Sequence, residues 1–214
     1  MMAIPTVIVV RHGRTDLNKP NQMRGWTNVA LNKAGIREAK ETAYEINEEW
    51  TVKKIYTSDL KRAIQSAEPL EKLSEVEVVR TKALRPWDGG ELVGKHIPDL
   101  QSKLRFYIEN QTKAPKGGES MESFIARLLP FVSSTLDEAE AGTSPIALVT
   151  SIRPIEVILG WIDNGMSENI DKDRLEAKKD TVGPSGVVVL RYLKKRWTSS
   201  IWKEATPVKQ EGKS

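Results

Sequence analysis

The run Val7-Ile8-Val9-Val10, passing directly into Arg11-His12-Gly13, restricts the possible fold more than any other part of the chain. Four β-branched residues in a row, bounded by Pro5 and Gly13, present no polar face to water. The strand they form must therefore be covered on both sides, as in a parallel sheet sandwiched between helices. Strands of that kind end at the carboxyl edge of the sheet, in the crevice where open α/β folds bind ligands. Arg11 and His12 arrive there together, and Gly13 lets the backbone turn away. A strand ending in two polar residues is common enough that the tripeptide needs support from elsewhere.

That support comes in chain order. Residues 15–30 are rich in Asn, Gly and Pro and show no sustained period, as in a long functional loop. Asn32 then caps a helix with Ala34, Ile36, Ala39, Ala43 and Ile46 along one side. Residues 53–57 predict a second strand. Ser58-Asp59 open a helix with Leu60, Ile64, Ala67 and Leu70 on its apolar face and Arg62 in its first turns. A helix N-terminus offers free N–H groups, so an arginine there adds a bidentate fork to an anion site. Taken alone, Lys61-Arg62 reads more readily as a solvated surface pair.

Residues 75–79 alternate as a third strand, followed by the loop LRPWDGGELVGK at 84–95. Helices are expected at 99–110 and 120–140 with a turn at 115–118 between them. A buried strand at 145–150, a helix at 155–162 and two strands at 186–192 and 199–205 complete the order. Strands alternating with helices imply an α/β fold, a three-layer α/β/α sandwich with a mainly parallel central sheet. One domain over 1–206 is expected, with a disordered tail at 207–214.

Composition removes several classes of function. No apolar run approaches the roughly 20 residues of a membrane span, and no basic segment precedes the first strand as in a signal peptide, so a cytoplasmic protein with no membrane partner is expected. The absence of cysteine excludes disulfides, thiolate metal sites and a cysteine nucleophile. A net charge of +4 suits an anionic ligand and is too small, without an aromatic-interleaved basic stripe, to argue for nucleic acid. Chemistry is left to Arg, Asp, Glu, hydroxyls and two histidines, His12 and His96.

The segments VVRHGRTDLN, MRGWTNVALNKAG, YTSDLKRAIQSA and GGESMESFIAR occur in that order over most of residues 7–160. Together they resemble the histidine phosphatase superfamily, the group that includes cofactor-dependent phosphoglycerate mutases. The resemblance implies a phosphoglycerate mutase-like fold and a nucleophile at His12 that becomes a phosphohistidine. A neutral imidazole attacks phosphorus without first losing a proton, and splitting the transfer into two steps lowers each barrier. Arg11 and Arg62 would hold the phosphoryl oxygens and spread their charge. Asn18 would hydrogen-bond beside them. The resemblance implies no metal and no cofactor.

Two pieces of the family pattern are missing. Its second histidine follows a strand ending in Val-Thr or Val-Ser, but here PIALVT runs into Ser151-Ile152-Arg153. The glutamate of its LRE motif, which protonates the leaving oxygen, aligns with Pro86. A positioned acid contributes about 10²- to 10⁴-fold, so a site that lacks one is expected to be slow. Asp88, in the same loop, is placed to substitute; it reads equally as a turn-former before Gly89-Gly90. Glu91 is a weaker substitute. For the histidine, Ser151 offers a hydrogen bond without charge. Arg153 offers charge or is a solvated helix-start residue, and His96 is a further candidate or a surface cap.

The expected function is phosphoryl transfer by a phosphomonoesterase of low activity, acting on a small phosphorylated substrate. The alternative is an inactive pseudo-phosphatase that binds a phosphorylated metabolite or protein. Specificity is expected to lie in residues 86–118, and homo-oligomerisation stays open. Trp26 and Trp87 flank these loops as pocket walls or as packing. Lys194-Lys195-Arg196 reads as a solvated turn, and Gly117-Gly118 is too generic to identify a phosphate cradle.

Overall fold

The computed structural model describes residues 3–16, 22–167 and 182–204. Strands β1 (Thr6–Arg11), β2 (Lys54–Ser58), β3 (Val78–Thr81), β4 (Ile146–Thr150), β5 (Val187–Leu193) and β6 (Arg196–Lys203) form one sheet in the order β3-β2-β4-β1-β5-β6. The first four are mutually parallel, and β5 and β6 add an antiparallel edge. Helices α1 (Lys33–Glu49), α2 (Lys61–Ser74), α3 (Gln101–Glu109), α4 (Met121–Glu140) and α5 (Ile152–Asp163) complete the chain.

The opening strand explains the layering. Val7 and Val9 join Phe124, Leu128 and Ile155 in the core under α4 and α5, whereas Ile8 and Val10 join Ala43, Ile46, Ala63 and Leu70 under α1 and α2. Burying such side chains contributes roughly 1.5–3 kcal/mol each, so β1 is fixed from both faces at once. Arg11 leaves the sheet pinned by its N–H to Gly186 O, at 3.0 Å.

Element ends differ from the sequence expectation for identifiable reasons. The third strand begins at Val78, because α2 runs on to Ser74 and leaves through Glu75 in the left-handed region (φ 56°). Helix α5 starts at Ile152 rather than 155, since Pro154 falls in its first turn, where a missing N–H is tolerated. Lys194 and Lys195 both have positive φ (52° and 62°), giving a two-residue hairpin turn, so Arg196 belongs to β6. The tail at 207–214 lies outside the described residues. Among the described residues, no helix is long and apolar enough to cross a membrane.

Two glycines set the height of the His12 loop above α1. A Cβ at Gly13 would lie 2.6 Å from Gly35 O, and one at Gly35 would collide with the Arg14 carbonyl. The contact is backbone against backbone, locked by Asn32 N–H to Arg14 O (2.9 Å) and by the Asn32 side chain capping Gly35 N–H (2.8 Å).

Candidate active site

The carboxyl ends of β1, β4 and β2 lie side by side and lead into His12, Ser151 and the start of α2. His12 is 5% exposed, with its backbone N–H on Thr150 O at 2.9 Å. Its ring Nδ1 lies 2.8 Å from Gly13 O. A carbonyl only accepts, so Nδ1 carries the proton and Nε2 keeps its lone pair. That lone pair accepts from Arg62 Nε at 3.1 Å.

Burial holds the His12 pKa well below the ordinary 6.5, with Arg62 the next largest cause; Arg11 and Arg24 push the same way against the Gly13 carbonyl. The imidazole is therefore neutral at pH 7, with its Nε2 lone pair facing Arg62. A stability consequence follows from the sign. The folded state binds fewer protons than the unfolded one between the folded pKa and 6.5, so stability present above 6.5 is lost as pH falls through that window. Urea denaturation is expected to show a slope approaching about 1.4 kcal/mol per pH unit from this group, and His12→Asn should lack that component.

Arg62 is not a solvated partner of Lys61. It is 1% exposed and donates Nη1 to Thr27 O (2.7 Å) and Nη2 to Gly25 O (3.0 Å) while Nε faces the imidazole. Burial and then the charge of Arg24 lower its pKa to about 10, which leaves it charged. Arg11 reaches Val182 O through Nη1 at 2.5 Å. Ser66, one turn along α2 from Arg62, accepts the Gly13 N–H (3.0 Å) and donates to Arg62 O (2.8 Å), tying the helix to the His12 loop. Nothing in the segment YTSDLKRAIQSA marks Ser66, because its partner Gly13 comes from a distant loop.

The remaining expected residues divide. Ser151 is buried at the end of β4 and its side chain makes no capping bond to α5. Arg153 is engaged on its own helix by buried Glu156, Nη1 to Oε2 at 2.9 Å. Asp88 Oδ1 accepts the Gly90 N–H at 3.1 Å, the turn role, yet the same oxygen is 3.4 Å from where a Cβ on Gly25 would stand, beside the carbonyl that holds Arg62. Glu91 is exposed. His96 is exposed at the rim and pairs with Asp99 at 3.4 Å. Asn18 lies outside the described residues.

Position 86 is occupied structurally. Pro86 O accepts from Trp26 Nε1 (2.8 Å) and Arg127 Nη2 (2.9 Å). Arg127 also takes the carbonyls of Lys82, Ala83 and Arg85 and the carboxylate of Glu119. Arg85 lies over the Trp26 ring at 4.5 Å and holds Asp59 through two 2.6 Å bonds. Trp87 donates to Glu119 O at 2.8 Å. Both tryptophans therefore serve to fasten the loop at 84–90. Glycines 90 and 118 allow two backbones to touch, since a Cβ on Gly118 would lie 2.5 Å from Asp88 O.

The model of the histidine phosphatase superfamily (branch 1) matches residues 7–204. Phosphoglycerate mutase-like protein 4 of Arabidopsis thaliana is 26% identical over 216 residues, spanning 96% of this chain and 88% of that one. A 2,3-bisphosphoglycerate-dependent phosphoglycerate mutase of Parvibaculum lavamentivorans is 31% identical over 134 residues, 58% of this chain and 64% of that one. Among solved structures, a mycobacterial glucosyl-3-phosphoglycerate phosphatase superposes with a TM-score of 0.73 at 23% identity, covering 94% of this chain and 100% of that one. At that identity the superposition speaks to the fold.

Proposed function

The chain belongs to the histidine phosphatase superfamily, and from that premise we propose that it is a phosphomonoesterase working through a phosphohistidine at His12. The observation that carries this reading is the neutral imidazole whose Nε2 lone pair faces Arg62 Nε at 3.1 Å. The mycobacterial phosphatase of the same fold, which forms a complex with inorganic phosphate, is consistent with an anion at this end of the sheet.

In the first step the Nε2 lone pair bonds to phosphorus as the ester P–O bond breaks, and the leaving oxygen keeps its electron pair and takes a proton. Arg62 Nε–H shifts from the imidazole to a phosphoryl oxygen, and Arg11 takes another, so charge is met by donors that are already in place. The Gly13 carbonyl on Nδ1–H steadies the positive charge the ring acquires on phosphorylation. In the second step water attacks phosphorus, the N–P bond breaks and inorganic phosphate leaves. Asp88 is the group we assign to donate the first proton and to take one from the water, because it lies in the loop packed against Gly25.

The test is turnover of an aryl phosphate together with rapid acid or base quenching and mass spectrometry. Base-stable label on His12 during turnover supports the reading. Phosphate binding with neither turnover nor label would identify a non-catalytic phosphate-binding protein instead, the reading that Ser151 and Pro86 favour. Asp88→Asn adds a leaving-group test. Loss of a general acid is expected to slow an alkyl phosphate about 10²- to 10⁴-fold and an aryl phosphate far less. Equal losses on both substrates would remove Asp88 from the acid role.

A further inference from the structure

We propose that Thr150 is a positioning residue that sets the distance between His12 and the loop of the assigned proton donor, because it grips both at once. Its catalytic meaning rests on the phosphatase reading and on Asp88 as that donor.

Thr150 is the last residue of β4 and is fully buried. It lies opposite Arg11 in the parallel ladder, and its carbonyl accepts the His12 N–H at 2.9 Å. Alternate residues of a strand share a face, so its side chain stands with those of Ile146 and Leu148 on the side covered by α4 and α5. There its hydroxyl donates to Leu84 O at 2.6 Å, across 66 residues of sequence. Leu84 closes the short helical turn Lys82–Leu84, is itself fully buried, and leads through Pro86 to Asp88.

The Leu84 carbonyl fills a gap in a second set of bonds. Arg127 on α4 takes the carbonyls of Lys82, Ala83, Arg85 and Pro86, and Thr150 takes the one between them. Glu119 joins the same set, accepting from Arg127 and from the Asp88 N–H, the latter at 2.9 Å. The arginine thus fastens the loop to the helical layer. The threonine fastens it to the sheet, at the strand end that also holds the nucleophile.

Packing alone does not call for a hydroxyl here. The rest of β4 is Ile146-Ala147-Leu148-Val149, and valine has the shape of threonine without a polar group to desolvate. What the hydroxyl adds is the bond to Leu84. Proton donation gives that bond a use in the reaction, because a general acid works only within hydrogen-bond reach of the leaving oxygen. A displacement of about 1 Å costs up to about 100-fold in rate. One residue bonded to His12 through its carbonyl and to the 84–88 loop through its side chain is a short rigid link between nucleophile and acid.

The experiment compares wild type with Thr150→Val, Thr150→Ser and Thr150→Ala, the last standing in for valine if that variant does not fold. Kinetics on an alkyl and an aryl phosphate are measured with and without Asp88→Asn, together with melting temperature and amide hydrogen exchange at 84–88. Melting falls in Val and Ala whatever the role, because the Leu84 carbonyl loses a buried donor, so the substrate ratio decides. An alkyl leaving group needs the acid more, so Thr150→Val is expected to lose about 10-fold more kcat on the alkyl than on the aryl phosphate. Thr150→Ser, which keeps the donor, should recover most of that difference, and with Asp88→Asn already present Thr150→Val should add no alkyl-specific loss. Equal losses on the two substrates would overturn the proposal, as the mark of a purely structural role. So would an alkyl-specific loss that persists undiminished beside Asp88→Asn, since the donor would then lie elsewhere. If wild type turns over neither phosphate, the phosphatase reading fails, and exchange alone decides the link: faster exchange at 84–88 in Val than in Ser upholds it, and equal exchange overturns it.

Discussion

Replacing His12 with alanine is expected to lower kcat for an aryl phosphate by roughly 10⁴-fold or more, the scale on which loss of a covalent nucleophile falls, and to leave KM nearly unchanged. The split follows from the division of labour in the crevice. In the proposed mechanism Nε2 bonds to phosphorus only as the reaction proceeds, whereas Arg11 and Arg62 would bind the ground state as well. Removing the imidazole also frees Arg62 Nε–H, now engaged by Nε2 at 3.1 Å, for a phosphate oxygen. Inorganic phosphate is therefore expected to bind His12→Ala within about threefold of wild type, since an engaged donor has only changed partner. Calorimetry with phosphate and steady-state kinetics on the same preparation check both halves. Turnover equal to wild type in His12→Ala would remove the histidine from the chemistry.

What could be read in the sequence was what local pattern decides. Val7 to Val10 had to be covered twice because no polar face interrupts them, and the two cores that take alternate side chains bear this out. Asn32 was legible as a cap because its bond to Gly35 spans three residues. Arg62 was ambiguous: its neighbours along α2 do not distinguish a buried fork from a solvated one, and its partners Gly25 and Thr27 arrive from a loop more than thirty residues earlier. Ser66 was illegible for the same reason, its partner Gly13 being 53 residues away. Arg153 is the opposite case, since Glu156 three residues on is the helical spacing of an ion pair and was there to be seen. At position 86 the structure shows what the backbone does, which the sequence does not. The Pro86 carbonyl is a fastening point for Trp26 and Arg127, a use that makes no demand on the side chain there.

Arg62→Ala is the complementary large effect, and it separates charge stabilisation from nucleophilicity. Loss of a preorganised guanidinium at a transferring phosphoryl group is expected to cost about 10³-fold in kcat/KM or more. The pH profile should also move, and its direction is fixed. The proposed mechanism requires neutral His12, so the acid limb would follow the imidazole pKa, which Arg62 depresses more than any other charge. Without Arg62 that pKa rises toward 6.5, and the acid limb of the residual activity shifts to higher pH. A variant that merely loosened the turn at 24–27 would lose rate without that shift. Arg62→Lys sharpens the distinction. An ammonium keeps the charge beside His12, so the acid limb should stay low, but it cannot hold the carbonyls of Gly25 and Thr27 and still face Nε2 as the planar fork does. Rate lost with the acid limb unmoved in Lys, against rate lost with the limb raised in Ala, would show that the fork positions the site while its charge keeps the nucleophile unprotonated.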